Sequence, residues 1–497
     1  MRFLVLVALS WPMAAAVPCE SLAKLALPHA MVTLAESVAA GQLSLPAGAV
    51  PSFPGFPAPN FGDLPAFCRV VATLAPSSDS SIQIEVWLPA TGWNGRLESV
   101  GNGAWAGSVG YRDLAAGLRA GYATASTDTG HKGNIATFVV GHPEKLTDFA
   151  YRAVHEMTIA AKAVVAAYYG DGPRRAYFNG CSTGGRQALA EAQRYPADYD
   201  GIIAGAAANY PTHLQGSQVW TAKISNQDQA GHIPREKYAL IHNAVLEACD
   251  AQDGVKDRVL EDPTRCHFDP QALLCKGSDD VTCLTAAQVE VARKIYAGPG
   301  AALFPGIERG SELGWSTLSD NKPMALAAET YQYLVYKNPD WDYLTFDPAR
   351  DMAEANKVIG PIMNSTDPNL TPFFQHGGKL LMYHGWADPG IAPRNSVNYY
   401  KSVVNTVGAA KAADSIRLFM VPGMGHCAGG DGTDDFNKIG TLANWVEQGK
   451  APDYIPAAHR TRGTVDRTRP LCPYPQAAHY QGSGSTDDAA NFTCQAP

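Results

Sequence analysis

Three features of this 497-residue sequence predict an α/β architecture, a mostly parallel sheet with helices on both faces. Short β-type runs alternate with helix-spaced stretches up to residue 208, and the alternation resumes at 379. Residues Arg175 to Arg194, RAYFNGCSTGGRQALAEAQR, read as strand, sharp turn and helix. Between 209 and 375 the rhythm breaks into loop-rich sequence carrying four of the ten cysteines, which predicts an inserted unit.

Length and composition bound the rest. The chain exceeds what one hydrophobic core usually holds. With 46% hydrophobic and 17% charged residues it is globular rather than disordered. A net charge of −8 without clustered Lys or Arg excludes nucleic acid as a partner. Met1-Arg2, the apolar run Phe3 to Leu9 and Ala14-Ala15-Ala16 predict a secretory signal over 1–16. No later stretch is long and apolar enough to span a bilayer, so a soluble mature protein without a membrane partner is expected. Ten cysteines in an exported chain predict five disulfides.

In chain order, 17–208 is expected to form the first part of the catalytic domain. Pro- and Gly-rich sequence from Leu45 to Pro65 reads as irregular. Strands follow at Ile82 to Leu88, Arg96 to Val100 and Tyr122 to Thr127, then a long helix from Leu146 to Tyr169 on helical spacing. After the strand-turn-helix comes a buried strand, Gly201 to Ala208. The inserted lid is assigned to 209–375. The second part of the domain, 376–497, holds a strand at Lys379 to His384, a helix near Pro393 to Asn405, a strand at Ile416 to Val421, a helix over Phe436 to Gln448 and a Pro-rich tail.

The turn Gly180-Cys181-Ser182-Thr183-Gly184 fits the G-x-S-x-G nucleophile elbow, in which the serine sits in strained backbone at the tip of the turn. Glycines remove the Cβ atoms that would collide there, and the following helix start offers free N–H groups to an oxyanion. An acid and a histidine should follow on loops after late strands. Asp388 lies just past Lys379 to His384, and His426 lies just past Ile416 to Val421. This order predicts an α/β-hydrolase fold with a large inserted lid domain, in which His426 takes the Ser182 proton and Asp388 orients the imidazole. His384, within the strand, reads as a packed histidine or one that supports the triad from behind, and His459 and His479 have no strand leading to them. Cys181 precedes the nucleophile and Cys427 follows the base, so a bridge between them would hold Ser182 near His426. The alternative is Cys181 as a nucleophile in its own right.

With Cys181-Ser182, Asp388 and His426-Cys427 in place, the chain resembles the tannase and feruloyl esterase family, as do the words GCSTGGRQ, YHGWADP and PGMGHC. The resemblance covers nearly the whole mature chain. It implies a secreted serine esterase acting on aromatic-acid esters, feruloyl or hydroxycinnamoyl first, galloyl esters or the mono-ester of terephthalate as alternatives. No arginine in Thr330 to Tyr343 offers an anchor for a terephthalate carboxylate. From other classes, a silent secreted binding module and a metal-dependent hydrolase are the competing readings. The resemblance also implies oxyanion donors at the Thr183 N–H and in Gly101 to Gly107, with Gly103 favoured and Ala104 the alternative.

The word Cys249-Asp250-Ala251-Gln252-Asp253-Gly254-Val255-Lys256-Asp257-Arg258-Val259 offers hard oxygen ligands around a Gly turn, although its spacing departs from an EF-hand. A solvated acidic loop is the alternative. By resemblance it binds a structural Ca²⁺ through Asp250, Asp253 and Asp257 side chains and the Val255 and Val259 carbonyls, with no cofactor for catalysis. Resemblance and proximity pair Cys249 with Cys266, Cys19 with Cys68, Cys275 with Cys283, and Cys472 with Cys494.

Overall fold

The central strands are β1 (Ala30–Val38), β2 (Phe67–Leu74), β3 (Ile82–Pro89), β4 (Arg96–Val100), β5 (Ala123–Thr127), β6 (Arg175–Cys181), β7 (Gly201–Gly205), β8 (Lys379–Gly385) and β9 (Ile416–Val421). In the computed structural model, which describes residues 17–46, 48–50 and 59–496, they form one nine-stranded sheet in the order β1-β2-β3-β5-β4-β6-β7-β8-β9. The expected signal, 1–16, lies outside the described residues.

From β5 to β9 every pairing is parallel, while β1, β2, β3 and β5 pair antiparallel. Parallel strands are covered on both faces, and alternate residues show it. Phe178, Ile202, Leu380 and Leu418 enter one core with the helix Ala153–Tyr169. Their neighbours Tyr177, Ile203, Leu381 and Phe419 enter the opposite one, against Leu442 and Trp445 of the helix Lys438–Gln448.

Several boundaries differ from the sequence reading, each for a local reason. The strand read as Gly201 to Ala208 stops at Gly205, because the Ala206 N–H turns to Tyr383 O and the Ala208 N–H to Ser182 O. The helix read from Leu146 carries a π-turn at Asp148–Arg152 before its regular part. There the buried Asp148 accepts hydrogen bonds from Arg152 Nε at 2.5 Å and Ser80 Oγ at 3.2 Å. The last helix starts at Lys438, capped by Asn437 Oδ1 on the Gly440 N–H, and Phe436 pairs in a small strand with Ala457 instead. The tail read as Pro-rich contains the hairpin Ile455–Thr461 with Thr464–Leu471.

Between β7 and β8 the described chain holds helices and turns and no strand. This segment does not bury its apolar residues alone. One of its clusters closes on Ile391 and Ala392, and a second closes on Trp105, Phe149 and Ala150, all from the sheet-bearing part.

Candidate active site

β6 ends in the elbow. Ser182 has φ 64° and ψ −122°, a conformation that side chains rarely adopt and that is typical of strained functional positions. The surroundings hold it there. Ser182 N–H donates to Gly205 O at 3.0 Å, and Ser182 O accepts from Arg186 N and Ala208 N. Gly180 is required, since a Cβ on it would stand 2.4 Å from Gly184 O. The helix Thr183–Arg194 begins directly after the serine, so the Thr183 N–H has no intrahelical acceptor.

The Gly101–Gly107 loop is pinned to that helix. Asn102 N–H donates to Gln187 Oε1 at 3.0 Å, Gln187 Nε2 donates to Asn102 Oδ1 at 3.1 Å, and Asn102 Nδ2 reaches Thr127 O at 2.8 Å. Thr183 Oγ1 donates to Ala104 O at 3.0 Å. Of the two residues considered as second oxyanion donor, Ala104 lines the cavity beside Ser182 and has φ 47°, whereas Gly103 does not line it. Its place on the cavity wall favours Ala104 over Gly103.

Asp388, fully buried past β8, is held on every side. Its Oδ1 accepts from the N–H of Gly390 at 2.8 Å and Ile391 at 3.0 Å. Its Oδ2 accepts from His426 Nδ1 at 2.6 Å and His384 Nε2 at 3.0 Å. Burial pushes this carboxyl up, but the charge of His426 and the hydrogen bonds from both imidazoles outweigh it and hold it well below the usual carboxylate range. For His426 burial pushes the imidazole down, while the attraction and hydrogen bond of Asp388 raise it on balance.

His384 is a third partner, one of the two roles the sequence reading gave it, packing or support of the triad. Its Nε2 faces two acceptors, Asp388 Oδ2 and Ile391 O, and therefore carries the proton, while Nδ1 lies 2.8 Å from Ser396 Oγ. A histidine at the strand end, four residues before the acid, is the signal that marked it.

The Cys181–Cys427 bridge joins the elbow to the histidine loop across 246 positions. The loop folds tightly: a Cβ on Gly430 would lie 2.1 Å from Gly423 O. Ser182 and His426 line one cavity of about 450 Å³, and Ser182 Oγ makes no hydrogen bond among the described residues. Catalytic hydrogen bonds are often long before substrate binds. The walls include Trp105, Phe149, Leu214, Met363 and Ile391. An arginine is present too, from the elbow helix rather than the lid stretch. Arg186 is buried, with Nη1 on Ala150 O at 2.6 Å and Nη2 on Phe149 O at 3.2 Å. Burial lowers its guanidinium to about 10.

The structure joins all ten cysteines: Cys19–Cys68, Cys181–Cys427, Cys249–Cys266, Cys275–Cys283 and Cys472–Cys494. Cys181 is therefore not a free nucleophile.

The acidic loop lies elsewhere. Asp253, Val255, Asp257 and Val259 line a chamber of about 20 Å³ together with Glu261, which the sequence reading omitted. That is room for about one ion or water. Burial, with Asp257 and Asp250 as like charges, pushes Asp253 up to about 6, the condition a divalent cation relieves. Asp250 does not line the chamber. Its carboxylate accepts the N–H groups of Asp257 and Arg258 and shapes the loop, while Asp257 Oδ2 accepts from Arg469 at 2.6 Å. Arg467 and Arg469 also line the chamber, and the carboxylates and backbone there are of the donor type that suits a hard cation.

Comparison with known proteins agrees on one family. Residues 68–495 match the family model described as tannase and feruloyl esterase. An uncharacterized esterase of Xanthomonas campestris pv. campestris is 38% identical, covering 97% of this chain and 91% of its own. Feruloyl esterase B of Aspergillus niger is 36% identical over 86% of each chain. The crystal structure of feruloyl esterase B from Aspergillus oryzae superposes with TM-score 0.88 at 33% identity, covering 96% of this chain and 99% of that one.

Proposed function

The chain belongs to the tannase and feruloyl esterase family and is a carboxylesterase that hydrolyses aromatic esters, and from that premise we propose that Ser182, His426 and Asp388 carry the reaction. Ser182 Oγ attacks the ester carbonyl while His426 Nε2 takes its proton. The oxyanion is held by the Thr183 and Ala104 N–H groups. As the intermediate collapses, the C–O bond to the alcohol breaks and His426 returns the proton to the leaving oxygen. Water then attacks the acyl-enzyme with the same imidazole as base, releasing the acid and free Ser182. Asp388 keeps His426 Nδ1 protonated, so that Nε2 is the free base.

The observation that carries this reading is the 2.6 Å contact between Asp388 Oδ2 and His426 Nδ1, at a histidine lining the same cavity as the strained Ser182. A ferulic-type acyl group is the first choice, supported by the aromatic and aliphatic cavity walls and by the two feruloyl esterase B relatives. Methyl ferulate turnover is the test. Ser182→Ala should lose about 10⁵ to 10⁶-fold in kcat, and retention of wild-type activity sinks the assignment. Methyl gallate turned over faster than methyl ferulate would move the substrate to galloyl esters.

The acidic loop is assigned a structural Ca²⁺, held by the Asp253 and Asp257 carboxylates and the Val255 and Val259 carbonyls, with Asp250 shaping the loop. When bound it supplies neutralisation of crowded carboxylates and no chemistry. Export through the leader at 1–16 is supported by the five disulfides, and no described helix is long and apolar enough to cross a membrane.

A further inference from the structure

A second cavity of about 320 Å³ lies against the active site and meets the Ser182 cavity at Pro389 and His426. We propose that it receives the leaving alcohol, and that Arg258 and Arg309 make it select esters whose alcohol carries a carboxylate. The inference rests on the assignment of His426 as the base. An imidazole that takes the proton from Ser182 must give it to the alcohol oxygen, so the alcohol leaves past His426. That leaves the cavity lined by Ser182 and Thr183 for the acyl group. The only wall of the second cavity drawn from the proposed triad is His426.

The charged groups facing this cavity are Arg258, Arg309, His242, His426 and Asp431. His242 has Nδ1 2.9 Å from Glu312 Oε2, and its buried Nε2 has no partner among the described residues. Arg258 approaches Asp431 Oδ2 only at 3.7 Å, and its side chain is 59% exposed. Arg309 spends Nε on Phe268 O at 2.9 Å and lies 4.5 Å over the Tyr296 ring, which fixes the plane of its guanidinium. The cavity walls thus hold two arginines and one carboxylate residue, and guanidinium N–H donors suit the two oxygens of an incoming carboxylate. Arg258 is also held in place from its backbone. It has φ 71°, and its N–H donates to both oxygens of Asp250 at 3.1 and 3.0 Å.

The test compares two hydroxycinnamoyl esters of quinic acid, one with the quinate carboxylate free and one with it capped as a methyl ester. Acyl group and ring are matched, and charge is the main difference. Wild type should favour the free carboxylate by about tenfold or more in kcat/KM at low salt, the scale of a charge-assisted hydrogen bond. That ratio should collapse toward unity in the Arg258→Ala/Arg309→Ala double variant, survive in Arg258→Lys/Arg309→Lys, and rise in Asp431→Asn. A wild-type ratio near unity, or a ratio unaltered in the double alanine variant, overturns the proposal. Calorimetric binding of free quinate to Ser182→Ala protein needs no turnover, so it reads the subsite even if the acyl group is misassigned. A tenfold or greater loss of affinity on replacing both arginines supports the subsite. Absence of millimolar binding overturns it.

Discussion

Replacing Asp388 by Asn tests the site most severely, because the structure dictates how the new amide must sit. Oδ1 of Asp388 accepts two backbone N–H groups, from Gly390 and Ile391, so the amide oxygen has to stay there. The amide NH₂ is then forced into the place of Oδ2, facing His426 Nδ1 and His384 Nε2, two groups that now donate. Relief comes only if His426 shifts its proton to Nε2, the nitrogen that should accept from Ser182. An imidazole in that tautomer is no base, and the loss expected is about 10⁴-fold in kcat, roughly 5.4 kcal/mol of barrier.

The pH profile supplies an independent readout. In wild type Asp388 raises His426, so the acid limb of kcat/KM should lie above about pH 6.5. Because that folded-state pKa is raised, the pair's contribution to stability is full below the unfolded value and fades as pH rises through the folded one. The lowered Asp388 contributes above its unfolded value and fades as pH falls through its own folded pKa. Without the carboxylate the residual acid limb should move to lower pH. Steady-state hydrolysis of methyl ferulate across pH 4 to 9 measures both. A kcat loss under tenfold, or an acid limb that does not move, refutes the orientation argument.

Three further outcomes follow from the same geometry. Gln187→Leu removes both hydrogen bonds to Asn102 and should lower kcat about tenfold with little change in KM, since it loosens the loop that presents Ala104; an unchanged kcat contradicts the role given to that loop. Loss of the long Cys181–Cys427 closure in the double Ser variant should cost about 2–4 kcal/mol, read as a lower denaturant midpoint, and should lower kcat as well. Chelation with EGTA should lower the thermal midpoint while methyl ferulate turnover persists at temperatures where the fold survives; an unmoved midpoint removes the calcium assignment.

The parts of this fold that were legible in the sequence are those whose reasons are local. β9 begins and ends where its apolar run does, and the elbow announces itself through Gly180 and Gly184 around Ser182. β1 was not read, because Thr33, Glu36 and Ser37 interrupt its apolar residues. Gln187 was quoted within GCSTGGRQ, yet its partner Asn102 lies 85 positions away, so its bracing role emerges only from tertiary pairing. The choice between Gly103 and Ala104 likewise turns on tertiary contacts. A glycine-rich word shows where a backbone can bend, but which N–H faces the cavity depends on Thr183 Oγ1 gripping Ala104 O from another element.

That dependence extends to the segment assigned to the lid. Its clusters are completed by Trp105, Phe149, Ile391 and Ala392, and the first three of these also line the Ser182 cavity. Packing at native density couples such neighbours, so enlarging the acyl cavity from the lid side should disturb the oxyanion loop through Trp105 rather than alter specificity alone. A Met363→Ala exchange is the sharp case. Met363 shares a cluster with Trp105 and Phe149 and lines the cavity itself. It should cost about 2–5 kcal/mol of stability and lower kcat for methyl ferulate as well as changing KM for bulkier acyl groups. A variant that gains bulky substrates at full stability and undiminished kcat would show the lid to be an independent module, and the shared-core argument would fail.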